Sequence, residues 1–276
     1  MTDATILLPG LEERLYERRG ARIRTFEGGE GPPLLLVHGL GGAAWNFSEL
    51  APLLPGRRLI IPDLPGHGAS SPLPAPSLTG FADVLAELLD EPADVLGHSM
   101  GGVVALRLAE RHPALVRSLV LAAAAGISSS TRLAEITIAL TGIIEPGRIA
   151  GRRVGLVARS RRLRRLVFEG FEVANADLLS ERAVHGFLRG PTMHTDAFGA
   201  GRALVADDPR EDLDRVRCPV LILWGARDKQ VSLEDGFEYA RRLGAPLRVI
   251  ADCGHLLIGE RPDVCARAIQ EFTDSR

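Results

Sequence analysis

The residues with the clearest chemical promise are a serine, a histidine and an aspartate spread over the second two-thirds of the chain. Ser99 lies in Gly97-His98-Ser99-Met100-Gly101, followed by Gly102. This is a G-x-S-x-G pattern placed directly after an apolar strand-like run and before a helical one. A serine on such a tight turn adopts a strained backbone, and residues two positions away must be glycine-sized. The turn lifts the hydroxyl into the open at a helix N-terminus, which favours developing negative charge. The chemistry this implies is nucleophilic attack on a carbonyl, with an acyl group passing to the serine and then to water.

A serine hydroxyl needs a base. Of seven histidines, His38 and His67 fall in glycine-rich loops, His98 is inside the turn, His112 ends a helix, and His185 and His194 lie in a long helical stretch. His255, in Asp252-Cys253-Gly254-His255, alone follows the last strand-like run and is the expected base. An imidazole that works as a base also needs a carboxylate to fix its tautomer. Asp228 closes Trp224-Gly225-Ala226-Arg227-Asp228 after another apolar run, whereas the other strand end that could carry an acid reads Ala122-Ala123-Ala124-Ala125-Gly126. Asp207, Asp208, Asp212 and Asp252 are the rivals. Two main-chain N–H groups must also face the developing oxyanion. Met100, next to the serine, supplies one, and Leu40 in His38-Gly39-Leu40-Gly41-Gly42 the other. That glycine loop lacks the Lys-Ser/Thr of a phosphate-binding loop, and HGLGG does not fit G-x-G-x-x-G.

These groups need a scaffold. Continuous apolar runs at Leu34–His38, Arg58–Pro62, Asp94–His98, Ser118–Ala122, Val220–Trp224 and Leu247–Ala251 read as strands covered on both faces. Helix candidates at Ala43–Leu54, Leu78–Leu89, Gly101–Arg111, Leu233–Leu243 and Pro262–Phe272 alternate with them, as in an α/β fold. Arg14–Arg19 and Ala21–Glu27 look like an antiparallel pair at one edge. Between residues 127 and 207 only helical patterns occur, Leu133–Ile144, Val154–Leu166 and Leu178–Leu188. The expected organisation is a core of residues 1–126 and 208–276 with a helical cap, 127–207, inserted in it, at the sheet edge where ligands bind.

The 276 residues, 46% of them hydrophobic, suffice for one large core, and the net charge of −2 gives no general case for nucleic acid. Nearly all basic residues are arginine, with Lys229 the single lysine, and eight of them crowd the second segment of the cap: Arg148, Arg152, Arg153, Arg159, Arg161, Arg162, Arg164 and Arg165. This run is either a solvated helix face or a surface for an anionic substrate or lipid. Cys218, Cys253 and Cys265 are odd in number and form no CxxC pair, so no disulfide framework or zinc site is expected. No signal segment or apolar run of membrane-spanning length is read, and the expected location is the cytoplasm. A homodimer is allowed but not specified.

HGLGG (38–42), DLPGHGAS (63–70), GHSMGG (97–102) and WGARD…CGH (224–255) occur in this order along the whole chain, which therefore resembles the α/β-hydrolase superfamily. The resemblance implies a mostly parallel eight-stranded sheet with helices on both faces and a lid after the sixth strand. It also implies a Ser99–His255–Asp228 triad with no metal or other cofactor, and it gives Asp63 and His67 a turn-shaping rather than catalytic role. A serine at position 99 separates the chain from haloalkane dehalogenases and epoxide hydrolases, which use aspartate there. Carboxylesterases, monoacylglycerol lipases, hydrolases of carbon–carbon bonds in ring-fission products, and perhydrolases or haloperoxidases share these motifs. Hydrolysis of small to medium carboxylic esters is the leading expectation, and a small-molecule receptor on the same scaffold is the non-enzymatic alternative. His38, Gly39, Trp45, Ile138, Phe168 and Phe171 are candidates to line the substrate pocket.

Overall fold

The computed structural model describes residues 7–128 and 146–275. The expected helix Leu133–Ile144, and Ile138 with it, falls outside the described residues. Eight strands form one sheet: β1 (Glu12–Arg18), β2 (Ala21–Gly28), β3 (Pro33–Val37), β4 (Arg58–Pro62), β5 (Ala93–His98), β6 (Val116–Ala122), β7 (Val220–Gly225) and β8 (Leu247–Ile250). Their spatial order is β1-β2-β4-β3-β5-β6-β7-β8. β1 and β2 are antiparallel to each other, β2 is antiparallel to β4, and every other pairing is parallel.

The sequence pattern explains this order. The strands β3, β5 and β7 are buried at every position because helices cover both faces. The edge strand β1, EERLYER, is exposed and charged, which discourages edge-to-edge pairing with another chain. It turns into β2 through Arg19 (φ 50°) and Gly20 (φ 78°), the two positive-φ positions of a hairpin turn whose twist matches the strands.

Helix α1 (Leu78–Ala86) follows β4, and Ser77 caps it by accepting the Gly80 N–H at 3.0 Å. Helix α2 (Met100–Arg111) follows β5 and is buried over ten of its twelve residues, the mark of a helix enclosed on most sides. Between β6 and β7 come the helices of the cap: α3 (Pro146–Gly151), α4 (Val154–Arg159), α5 (Arg161–Phe168), α6 (Glu181–Arg189) and α7 (Ala197–Val205). Helices α8 (Leu233–Leu243), α9 (Leu257–Glu260) and α10 (Pro262–Asp274) complete the core.

Three expected helices are corrected. Ala43–Leu54 is two short 3-10 turns, Ala44–Phe47 and Ala51–Leu53, because Pro52 and Pro55 cannot donate to a continuing helix. Val154–Leu166 breaks at Ser160, which adopts an extended backbone and caps α5. Leu178–Leu188 starts only at Glu181, where the Ser180 hydroxyl accepts the Ala183 N–H. In the last two cases a serine side chain offers the backbone an alternative to helix continuation.

Asp63, just after β4, is fully buried and joins four parts of the core. Its Oδ2 accepts hydrogen bonds from Arg24 Nε at 2.7 Å and from the Ala69 N–H at 2.9 Å, and its Oδ1 accepts the Ala44 N–H at 2.8 Å. The Arg24 guanidinium in turn stacks 4.6 Å from the Trp45 ring centre and 5.1 Å from that of Phe26. Removing one partner strands a buried charge and costs about 3–5 kcal/mol. Asp63→Ala is therefore expected to lower the urea midpoint by that amount of stability, and a loss below about 1 kcal/mol would show that the pair is dispensable.

Candidate active site

Ser99 stands between β5 and α2 with φ 56° and ψ −122°, a sparsely populated conformation for a non-glycine residue. Neighbouring backbone fixes it there. The Ser99 N–H donates to Ala122 O at 3.0 Å, and its carbonyl accepts from the N–H groups of Gly102 at 2.9 Å and Ala125 at 3.1 Å. A Cβ at Gly97 would lie 2.3 Å from Gly101 O, and one at Gly101 would lie 2.3 Å from Val37 O. Both sites admit only glycine, as the motif requires.

His255 and Asp228 form the best-defined polar contact at the carboxyl edge of the sheet. His255 Nδ1 lies 2.8 Å from Asp228 Oδ2, and the two side chains are 4% and 0% exposed. The second carboxylate oxygen, Oδ1, accepts the N–H groups of Gln230 at 2.9 Å and Val231 at 3.0 Å. The carboxylate is thus an acceptor at both oxygens, which leaves Nδ1 as the donor and Nε2 as the basic nitrogen. The two loops carrying these residues are packed backbone to backbone. A Cβ at Gly225 would meet Gly254 O at 2.2 Å, and the Arg227 N–H donates to Cys253 O at 2.9 Å.

The rival carboxylates serve elsewhere. Asp207 and Asp212 bind Arg107, Asp208 binds Arg210, and Asp252 pairs with Arg227 on the surface. His98 connects the pair to the elbow. Its Nε2–H donates to the His255 carbonyl at 2.9 Å, and the two imidazole centres are 4.9 Å apart.

The loop after β3 meets the serine directly, since a Cβ at Gly39 would lie 2.9 Å from Ser99 Cβ. Met100 is the first residue of α2, so its N–H has no preceding helical carbonyl to bond. The Leu40 N–H makes no main-chain hydrogen bond among the described residues. The loop is held from the cap, where His194 Nε2–H donates to Gly41 O at 2.8 Å and His194 Nδ1 accepts the Gly68 N–H at 3.0 Å. This bracing role is not legible from the sequence, because nothing in the spacing of His194 marks it out.

The pocket candidates differ in their surroundings. His38 is fully buried with both ring nitrogens engaged, Nδ1–H donating to Gly39 O at 2.8 Å and Nε2 accepting the Leu64 N–H at 2.9 Å. It shapes the loop and has no polar atom left for a substrate. Trp45 is buried against Arg24 and Phe26, and Phe168 is buried against Phe187 inside the cap. Phe171 is 56% exposed. The Cys253 thiol is buried, and its pKa is pushed up by burial.

A model of the alpha/beta hydrolase family matches residues 34–268. The chain is 36% identical over 264 residues to a pimeloyl-[acyl-carrier protein] methyl ester esterase of Aromatoleum aromaticum, covering 87% of this chain and 97% of that protein. It is 33% identical over 256 residues to the dihydrolipoyllysine-residue acetyltransferase component of an acetoin cleaving system of Cupriavidus necator, covering 86% of this chain and 62% of that one. Among solved structures, a putative lipase of Acinetobacter baumannii superposes with a TM-score of 0.77 at 24% identity, covering all of this chain and 96% of that one. The meta-cleavage product hydrolase CumD superposes at 0.74 and 22% identity, covering 95% and 98%. The chain belongs to the α/β-hydrolase family. It is an enzyme of the hydrolase class.

The site is lined with neutral imidazoles. Burial lowers the pKa of His38 to about 4 and that of His98 to about 3, whereas in the unfolded chain both titrate near 6.5. Their contribution to stability is complete above about pH 6.5 and is lost as the pH falls toward the folded values, because the unfolded chain then binds more protons. Glu110, raised to about 7 by burial, contributes with the opposite sign, so a difference measurement is needed. Replacing His38 by Asn is expected to make stability fall less steeply between pH 6.5 and 4.5, by up to about 1.4 kcal/mol per pH unit. Parallel urea-midpoint profiles for the two proteins would contradict this.

Proposed function

We propose that this enzyme is a serine hydrolase that cleaves carboxylic esters of small to medium acyl groups through an acyl-enzyme. The observation that carries the reading is the buried His255–Asp228 hydrogen bond at 2.8 Å, whose histidine is joined through His98 to the elbow that presents Ser99. His255 Nε2 takes the Ser99 proton as the hydroxyl oxygen attacks the ester carbonyl. The N–H groups of Met100 and Leu40 receive the oxyanion. His255 then gives its proton to the leaving alkoxide, and the acyl group remains on Ser99. A water attacks this ester by the same route and restores the serine. Asp228 stays ionised throughout and holds the imidazole in the required tautomer.

A second reading concerns how the substrate is presented. The relative in Aromatoleum aromaticum is named for a methyl ester on an acyl-carrier protein. Here the cap displays Arg152, Arg153, Arg159 and Arg162 as exposed side chains with no carboxylate partner among the described residues, while Arg161 pairs with Asp177 and Arg165 with Asp177 and Glu169. Four such guanidinium groups suit an anionic carrier.

Fluorophosphonate labelling is expected to modify one serine and to vanish in Ser99→Ala, with Ser70→Ala and Ser128→Ala still labelled. Labelling that persists in Ser99→Ala would refute the assignment. In Asp228→Asn, kcat for p-nitrophenyl esters is expected to fall by about 10⁴ from the wrong tautomer, and near-normal turnover would exclude Asp228 as the orienting acid. A panel of p-nitrophenyl esters, a ring-fission dienoate and a carrier-bound methyl ester separates the substrate readings. Turnover of the dienoate alone would make the enzyme a carbon–carbon bond hydrolase.

A further inference from the structure

One carboxylate beside the acid–base pair has no part in the mechanism above. Glu172 belongs to the cap, in the turn that follows α5. It meets the pair's loops twice. Its main-chain carbonyl accepts the N–H of Leu256, the residue after His255, at 3.0 Å. Its carboxylate Oε2 accepts the side-chain amide of Gln230 at 2.6 Å, and the main-chain N–H of the same Gln230 donates to Asp228 Oδ1. Cap, acid and base are thus linked through two residues. The contact continues at Val173, whose Cα would be 2.7 Å from a Cβ at Gly254. It is completed by Glu260, whose carboxylate accepts the N–H groups of Gly254 at 2.7 Å, Asn175 at 2.7 Å and Ala174 at 3.2 Å.

Resting on the triad reading, we propose that Glu172 is a positioning residue for His255: a cap carboxylate that adds negative charge beside the imidazole and, through Gln230, holds the turn bearing Asp228. Two titratable groups act on Glu172, His255 from the loop after β8 and Asp228 from the loop after β7, and the neutral Gln230 amide bonds it directly. Burial and Asp228 raise the pKa of Glu172, and the imidazolium and the Gln230 amide lower it. An ionised Glu172 favours the protonated form of His255 over the neutral one. The Gln230 amide N–H donated to Oε2 favours the ionised form of Glu172 against that burial, which makes the two side chains one functional unit. The cap therefore helps to set the pH at which the base becomes available.

The test is the pH dependence of kcat/KM for p-nitrophenyl butyrate, from pH 5 to 9, in the full-length enzyme. The acidic limb reports deprotonation of the base in the free enzyme. In Glu172→Gln it is expected to move to lower pH by about half a unit or more, and Glu172→Asp is expected to restore part of the shift. Gln230→Leu keeps the main-chain N–H to Asp228 but removes the amide, and should shift the limb in the same direction. The double variant should match a single one, as members of one unit do. A purely structural Glu172 would instead lower the rate equally at every pH and leave the limb in place, which overturns the proposal. Additive shifts in the double variant would also overturn it. His255→Gln separates the two readings. An inactive His255→Gln with an unmoved limb in Glu172→Gln refutes this proposal alone, whereas wild-type turnover in His255→Gln refutes the triad and this proposal together.

Discussion

One hydrogen bond sets the requirements that the rest of the molecule meets. An imidazole and a carboxylate must be held together away from water, and the residues that supply them come from different loops of one sheet edge. Asp228 is tolerated in the interior because every lone-pair direction that matters is used by His255, Gln230 and Val231. The loops can approach closely because Gly225 and Gly254 bring bare backbone to the contact. The parallel sheet is what brings the ends of β5, β7 and β8 to the same side, so Ser99, Asp228 and His255 share one rim.

Around this pair the interior is rich in polar groups, and they are satisfied mostly without charge. His38 and His194 spend both ring nitrogens, and His98 its Nε2, on main-chain groups. Each acts as a short, rigid brace whose tautomer is dictated by the carbonyl that it faces. Where a full charge is buried, as in Asp63 with Arg24, the guanidinium also covers aromatic surface. Loop geometry is thereby fixed by groups that take no part in bond making.

The sheet is legible in the sequence because strands buried on both faces are continuous apolar runs. The elbow is legible because glycines at fixed offsets around a serine, between a strand and a helix, suit few turns but this one. His255 and Asp228 stand out by their places after strand ends. Other features leave no such trace. Proline and serine divide helices that periodicity alone joins, and helix boundaries depend on such single side-chain hydrogen bonds. Trp45 and Phe168 resemble pocket walls because an apolar side chain carries no label saying which surface it covers. Glu172 and His194 are invisible for a deeper reason. Their importance lies in partners more than fifty residues away, and neither belongs to a local pattern.

Glu260 offers a last consequence. Its buried carboxylate gathers three main-chain amides, two from the insertion and one from Gly254, just ahead of His255. Lifting the insertion at this point would strand an anion in a dry interior together with the amides that neutralise it. That margin is therefore a fixed anchor, and it grips the core at Gly254, one residue from the imidazole it helps to place.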